Sequence, residues 1–196
     1  MGIKQFNGTY LTQEDRILFR FNTSDQAEYR LWLTRRTTLF ILAAVSYLLA
    51  KKLEQSYSPD AAKALHEFEK QAILDAAKSE QSASTSYEGG LNFPLGFDPI
   101  LVLDVTCALT KNGEKLAQLS DLKEGEIDQD LSIDFALPGG ANLNLKLPPN
   151  TLQTMCVLLD QLRLQAGWGE ALLQIKNLPK EEQNSEVKMS QNNSIH

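Results

Sequence analysis

Histidine and cysteine are scarce in this chain of 196 residues, and their scarcity limits the chemistry that the sequence can support. The two histidines are His66, on the polar side of a predicted helix, and His196, the last residue. Any Ser-His-Asp or Cys-His arrangement would have to use His66, the one histidine that is not terminal, and the sequence supports no such arrangement. The two cysteines, Cys107 and Cys156, match no metal-binding or redox spacing. We therefore expect reduced thiols, no metal and no cofactor.

Nucleotide-binding and zinc-binding motifs are also missing. The two glycines of "LPGGAN" follow a strand and predict a hairpin turn instead of a phosphate-binding loop. The net charge of −6 makes nucleic acid and anionic membranes unfavourable partners. These absences argue against an enzyme, although carboxylate chemistry at Asp98 or Asp104 stays open.

Long apolar segments are absent as well. The first ten residues, "MGIKQFNGTY", contain no apolar stretch typical of a signal peptide, so we expect a cytoplasmic protein. The longest apolar run, residues 37–50, would form a helix about 21 Å long. A bilayer core needs ~30 Å, and basic residues flank this run on both sides. The run therefore predicts a buried helix.

The sequence does contain two amphipathic hairpin patterns, "RILFRFNTSDQAEYRLWL" and "LSIDFALPGGANLNLKL". They align without a gap when the first is shifted by 114 residues, which places Ile17 on Leu131, and the match continues into the helices that follow. The alternating apolar positions are Ile17, Phe19, Phe21, Tyr29, Leu31 and Leu33 in the first pattern, and Leu131, Ile133, Phe135, Leu143, Leu145 and Leu147 in the second. Such internal similarity indicates a duplication. We predict an α+β fold of two pseudo-repeated ββα halves, each an antiparallel hairpin followed by a sheet-packing helix, with one additional helix and extra strands.

The additional helix should follow Ser58, which is a suitable N-cap before Pro59. Its predicted apolar stripe consists of Ala61, Leu65, Phe68, Ala72 and Ala76. The first helix carries apolar residues outside its sheet-facing stripe, namely Phe40, Tyr47 and Leu49. We expect the additional helix to cover these residues, and a subunit interface is the alternative.

Composition divides the chain into four parts. Residues 1–80 form the first half with the additional helix, and residues 81–99 form a flexible linker and a turn-rich approach. Residues 100–178 form the second half, with a buried strand in "ILVLDVTCAL" and a short last strand in "EALLQIKNL". Residues 179–196 are polar and predicted to be disordered.

The outward positions of the first hairpin are basic and aromatic. If Phe19 pairs with Tyr29, then Arg16 lies opposite Trp32 and Arg20 lies opposite Glu28. Arginine beside an outward tryptophan is typical of protein interfaces, although RNA binding or coverage of Trp32 by the chain itself would also fit. The predicted partner-binding residues are Arg16, Arg20, Arg30, Trp32, Arg35 and Arg36.

The outward positions of the second hairpin are acidic, and they comprise Glu126, Asp128, Asp130 and Asp134. A solvated strand face that resists aggregation is favoured over a surface for cations or basic partners. Opposite charges on the two hairpins also suggest head-to-tail self-association into a homo-oligomer.

Residues 21–36, "FNTSDQAEYRLWLTRR", resemble a phrase that recurs in uncharacterised bacterial proteins of unknown function. The resemblance implies a bacterial cytosolic origin and assigns no site. We therefore expect a non-enzymatic protein–protein interaction or assembly module of the bacterial cytosol. The alternative is a small-molecule-binding or sensor protein with its pocket at the junction of the two halves.

Overall fold

In the part of the chain that the structure describes, the fold is a mixed α+β structure with two sheets and three α-helices. The computed structural model describes residues 2–54, 56–80, 86–112, 114–115, 130–169 and 186–189. The strands are β1 (Ile3–Leu11), β2 (Arg16–Thr23), β3 (Glu28–Thr34), β4 (Ile100–Leu101), β5 (Asp104–Lys111), β6 (Glu114–Lys115), β7 (Leu131–Ala136), β8 (Asn142–Leu147) and β9 (Glu186–Lys188). The helices are α1 (Arg35–Leu53), α2 (Pro59–Glu80) and α3 (Pro149–Gln165).

The first sheet has the order β1-β2-β3-β4, and the second has the order β6-β5-β7-β8 with β9 paired to β5. All pairs are antiparallel except β3 with β4. The stretch predicted as one buried strand divides between the two sheets. The Val102 amide donates to Trp32 O at 3.0 Å, and the Leu103 amide donates to Ala136 O at 2.9 Å. The chain therefore crosses from the first sheet to the second between these residues.

The pairing predicted for the first hairpin is wrong by two residues. Phe19 lies opposite Leu31 instead of Tyr29, so that Arg20 faces Arg30 and Arg16 faces Thr34. The cause lies in the turn, because the backbone amide and the hydroxyl of Thr23 both donate to Ala27 O and so centre the loop on Asp25, one residue later than the predicted pairing requires. In the second hairpin, Leu131 pairs with Leu147 and Phe135 pairs with Leu143.

The inward residues of both sheets join α1 and α3 in one hydrophobic core. The N-terminus of α1 is capped by the Thr34 hydroxyl, which accepts the Thr37 amide at 3.3 Å. Helix α1 contacts β3 and β5, and α3 contacts β1. Helix α1, which follows the first hairpin, thus packs beside a strand of the second sheet. Helix α3, which follows the second hairpin, packs beside a strand of the first sheet, and both helices belong to the one core.

Helix α2 contacts both α1 and α3, so the prediction that it packs back on the first helix is confirmed. Ser58 caps it as predicted, since its hydroxyl accepts the Ala61 amide at 3.4 Å. The predicted stripe is wrong. Ala62 is fully buried whereas Phe68 is 71% exposed, because the helix turns Ala62 instead of Phe68 toward the core.

The predicted linker, last strand and disordered tail are only partly covered by the residues that the structure describes. Strand β9 lies inside the stretch predicted as a disordered tail, and it pairs with β5. The strand predicted at residues 170–178 lies outside the described residues, as do residues 81–85 of the predicted linker. The division of the chain into four parts stays a prediction. None of the described helices is long and apolar enough to cross a membrane.

Candidate partner-binding face

Four of the six predicted contact residues lie on the side of the first sheet that faces away from the core, which we call the outer face, and these are Arg16, Arg20, Arg30 and Trp32. Ile17, Phe19 and Phe21 are fully buried on the inner side of β2. Because side chains alternate along a strand, the outer face consists of the intervening residues. On β2 and β3 these are Arg16, Leu18, Arg20, Asn22, Glu28, Arg30, Trp32 and Thr34.

One end of the outer face is covered by residues 86–97, which we call the cover segment. Its backbone forms a parallel bridge beside the start of β3, where Asn92 pairs with Ala27. The amides of Leu91 and Asn92 donate to Gln26 O at 2.9 and 3.1 Å. The Glu28 amide donates to Asn92 O at 2.7 Å. Residues of the predicted linker and turn-rich approach, among them Leu91 and Asn92, therefore contact the first sheet.

The cover segment buries the ion pair between Glu28 and Arg30. The Glu28 side chain is fully buried, and its carboxylate accepts Arg30 Nε at 2.7 Å and the Gly90 amide at 2.7 Å. The Arg30 guanidinium lies 4.7 Å from the Phe93 ring centre and 4.1 Å from that of Phe97. It also donates to Phe97 O at 3.1 Å. Arg30 therefore holds the cover segment on the sheet.

Arg20 is occupied in a similar way. It donates to Asn7 Oδ1 at 2.6 Å, and its guanidinium lies 5.0 Å from the centre of the Tyr87 ring. Burial of the Tyr87 side chain, together with the negative charge of Glu28, raises the pKa of Tyr87 to about 12. Tyr87 is therefore a neutral phenol at physiological pH.

The other end of the outer face lies beyond the cover segment, and its residues Arg16 and Trp32 are partly exposed. There the Arg16 guanidinium lies 4.5 Å from the centre of the Trp32 ring, and Arg16 also forms an ion pair with Glu14. Trp32 is half-buried and pairs with Leu101 of β4. A cation over an aromatic face is a favourable contact, which orients both side chains.

Two arginines follow at the start of α1. Arg36 is exposed and donates to Leu103 O at 3.3 Å, so it adjoins the chain just beyond β4. Arg35 is exposed as well. Hydrogen bonds from Trp168 and Tyr10 lower the pKa of Asp15, and the charge of Arg35 makes a smaller contribution in the same direction.

Exposed apolar side chains accompany these arginines. Phe97 is 63% exposed and Leu103 is 41% exposed. Phe97 stacks on Arg30, which lies two residues before Trp32 on the same side of β3, about 7 Å away. We give the name open patch to Arg16, Trp32, Arg36 and Leu103 together with Phe97, the last residue of the cover segment.

The structure brings together some of the predicted contact residues and separates others. Arg16 and Trp32 are in contact, although through a diagonal approach instead of the predicted direct pairing. Arg20 and Arg30 are held beneath or beside the cover segment. Sequence reasoning missed Phe97 and Leu103. The signal for them was the unusual number of apolar residues in the turn-rich stretch "LNFPLGFDPI".

Of the four predicted acidic residues, Glu126 and Asp128 lie outside the described residues. Asp134 is only 8% exposed, and its carboxylate accepts Asn144 Nδ2 at 2.7 Å and lies 2.5 Å from Lys115 Nζ. Asp130 is half-buried, and its carbonyl accepts the Thr110 hydroxyl at 3.0 Å. The charge of Asp134 is therefore balanced within its own sheet.

Metal-binding and nucleophilic candidates are limited. Among the residues that the structure describes, no cluster of three or more histidine, cysteine, aspartate or glutamate side chains could hold a metal ion. Cys107 is fully buried, and this burial raises the pKa of its thiol. A thiol held in this protonated form is a poor nucleophile.

Comparisons with known proteins assign no family and no function to the chain. No protein-family model matches the chain, and no curated protein or solved structure is significantly similar to it. The function must therefore be argued from the outer face itself.

Proposed function

We propose that the protein is a non-enzymatic protein–protein interaction or assembly module of the bacterial cytosol, and that the open patch contacts its partner. The observation that carries the proposal is the contact between Arg16 and Trp32 on the partly exposed end of the outer face. A tryptophan already oriented by a guanidinium loses little conformational freedom when a partner binds.

The composition of the open patch supports this function. Tryptophan and arginine are the residue types most enriched among side chains that dominate protein–protein binding, and phenylalanine is enriched at interfaces generally. Phe97 is 63% exposed and Leu103 is 41% exposed, so both leave apolar surface in water. A partner that covers them gains roughly 25 cal/mol for each Å² of apolar area removed from water.

Charge contributes less to this recognition than the number of arginines suggests. Arg16 is paired with Glu14, and Arg30 is paired with Glu28. The aromatic rings and the planes of the guanidinium groups should therefore provide most of the contact. Since salt screens charge but not apolar contact, we expect binding to survive moderate salt.

We also propose that the two halves arose by internal duplication of a ββα unit. The support is the equivalence of the two registers. Ile17 pairs with Leu33 in the first hairpin, and the residues 114 positions later, Leu131 and Leu147, pair in the second. A helix follows each hairpin after at most one intervening residue, and both helices contribute to the shared core.

The proposal can be tested by affinity purification from a bacterial lysate at low and at moderate salt. The test variant combines Arg16→Ser with Trp32→Ser, and a second variant combines Arg36→Glu with Phe97→Ser and leaves Trp32 in place. The matched control is Lys146→Glu, which changes an exposed charge on β8 of the other sheet. A partner that both variants lose and the control retains would support the open patch.

Each variant should first be compared with the unchanged protein by circular dichroism and urea unfolding. A partner that every folded variant retains would contradict the proposed contact surface. If no protein partner is recovered and native mass spectrometry finds a bound metabolite, the alternative prediction of a small-molecule sensor would replace it.

A further inference from the structure

Strand β1 is the terminal strand of the first sheet. It pairs with β2 on one side, and no described strand pairs with its other side. With nine residues it extends about 30 Å. One row of backbone amides and carbonyls along this length therefore faces away from the sheet, which is the chemistry that recruits a further strand.

The other edge strands that the structure describes show features that disfavour such pairing. β4 and β6 have only two residues each. β8 carries the exposed Lys146 and is followed at once by Pro148 and Pro149. Short length, lysine and proline are the usual protections of a sheet edge. β1 has no proline, its one charged residue, Lys4, is paired with Glu88 at 2.7 Å, and its single register irregularity lies near its start, between Ile3 and Gln5, so the strand is regular from Gln5 to Leu11.

The surface beside this edge is uncharged as well. Helix α3 lies directly over β1, because a Cβ atom on Gly8 would collide with the Leu162 side chain and would lie 3.7 Å from Leu158. At 100° per residue, the positions next to Leu158 and away from the core are Thr154, Gln161 and Gln165, and all three are exposed. Because these positions are polar and uncharged, a partner strand can bring a second, similarly polar helix against this side of α3 without burying a charge there.

We propose that a second copy of this chain occupies the edge, with β1 pairing antiparallel to β1 across a two-fold axis near Asn7. A lone peptide strand would satisfy the backbone and leave the flank of α3 uncovered. A second copy presents the same strand with the same helix above it, so it covers both at once in an isologous contact. The first sheet then continues through both copies.

Side-chain charge is compatible with this arrangement. In the pairing about Asn7, Gln5 of one copy lies opposite Thr9 of the other, and both are neutral. Each chain carries a net charge of −6, so two copies repel overall, and an uncharged zone of contact keeps that repulsion low. The surface is distinct from the open patch, so this inference and the proposed function can fail separately.

Sedimentation velocity over a range of micromolar concentrations tests the proposal. We expect the unchanged protein to form a dimer as the concentration rises. The variant Thr9→Lys/Gln161→Lys adds two positive charges to each copy at exposed positions beside the axis, so that four like charges would lie in the otherwise uncharged zone of contact, and it should remain monomeric. The control Asn142→Lys adds a charge at an exposed position on the edge strand of the other sheet and should still dimerise.

Hydrogen exchange at residues 3–11 gives a second, independent measurement. We expect amide protection there to increase with protein concentration in the unchanged protein, and to lose this dependence in the double variant. A protein that stays monomeric throughout would overturn the proposal, as would a dimer that the double variant leaves intact. Protection that is the same at every concentration would mean that the chain covers its own edge, and would overturn it too.

Discussion

The indole N–H of Trp168 donates a hydrogen bond of 2.8 Å to the carboxylate of Asp15, and this bond joins the end of α3 to the turn between β1 and β2. The Tyr10 hydroxyl donates to the same carboxylate oxygen at 2.9 Å. The Tyr10 and Trp168 rings meet edge to face with their centres 5.6 Å apart. Asp15 and Trp168 are 153 residues apart in the sequence, so this hydrogen bond connects the beginning of the chain to the end of α3.

These bonds predict a pH dependence of stability. The hydrogen bonds from Trp168 and Tyr10, and then the charge of Arg35, lower the pKa of Asp15 in the folded protein. The stabilisation should be complete above the usual aspartate pKa of about 4, and it should be lost as pH falls through the lower folded value. In Asp15→Asn, the urea midpoint should depend less on pH in this acid range. Asp60→Asn, at the exposed start of α2, is the control. Equal pH profiles for the unchanged protein and Asp15→Asn would contradict this account.

The cover segment depends on one glycine. A Cβ atom on Gly90 would lie 2.7 Å from Gln26 O and 2.8 Å from the Glu28 amide nitrogen, and neither backbone atom can move aside easily. We expect Gly90→Ala to lower the free energy of unfolding by about 1–3 kcal/mol through overpacking, as measured in urea. At Gly89 the nearest atom is a Glu28 carboxylate oxygen at 3.1 Å, so Gly89→Ala should cost less. The reverse order would show that the cover segment docks differently.

Much of the fold could be predicted from the sequence, because its main elements carry local signals. The alternation in β2, β3, β7 and β8 and the periodicity of the helices identified each of these elements. β1 was missed because "IKQFNGTYL" does not alternate cleanly, and its pairing with β2 is a tertiary contact. The hairpin register was missed because it depends on how Thr23 bonds to Ala27 across the turn.

The candidate site was predicted only in part for a related reason. The alternation of side chains along the strands placed Arg16 and Trp32 on the same outward face as neighbours, and the two side chains are in contact. This alternation could not show that Phe93 and Phe97, more than 60 residues later in the chain, pack on Arg30, because no local sequence pattern specifies that contact. The sequence therefore indicates which face is special, and the tertiary contacts decide which part of that face stays open.

The buried pair of Glu28 and Arg30 makes an asymmetric prediction about stability. Glu28 is 1% exposed, so Arg30→Met would leave a buried carboxylate without its cation, and we expect a loss of about 3–5 kcal/mol. Glu28→Gln should cost less, because the Arg30 side chain is 17% exposed and can reach water. The double variant should be more stable than Arg30→Met alone. A double-mutant cycle in urea gives the coupling, and independent, additive losses would contradict the pairing.

The orientation of α2 leads to a final prediction. Phe68 is 71% exposed, while Ala62 of the same helix is fully buried. Because Phe68 contributes little to the core, Phe68→Ser should change the free energy of unfolding by less than about 0.5 kcal/mol. Leu65→Ser, at a half-buried position, should destabilise the protein more and serves as the comparison. If Phe68→Ser instead lowers stability in a manner that depends on protein concentration, Phe68 is covered by another subunit in solution. That result would favour the alternative given in the sequence analysis, a subunit interface formed through α2.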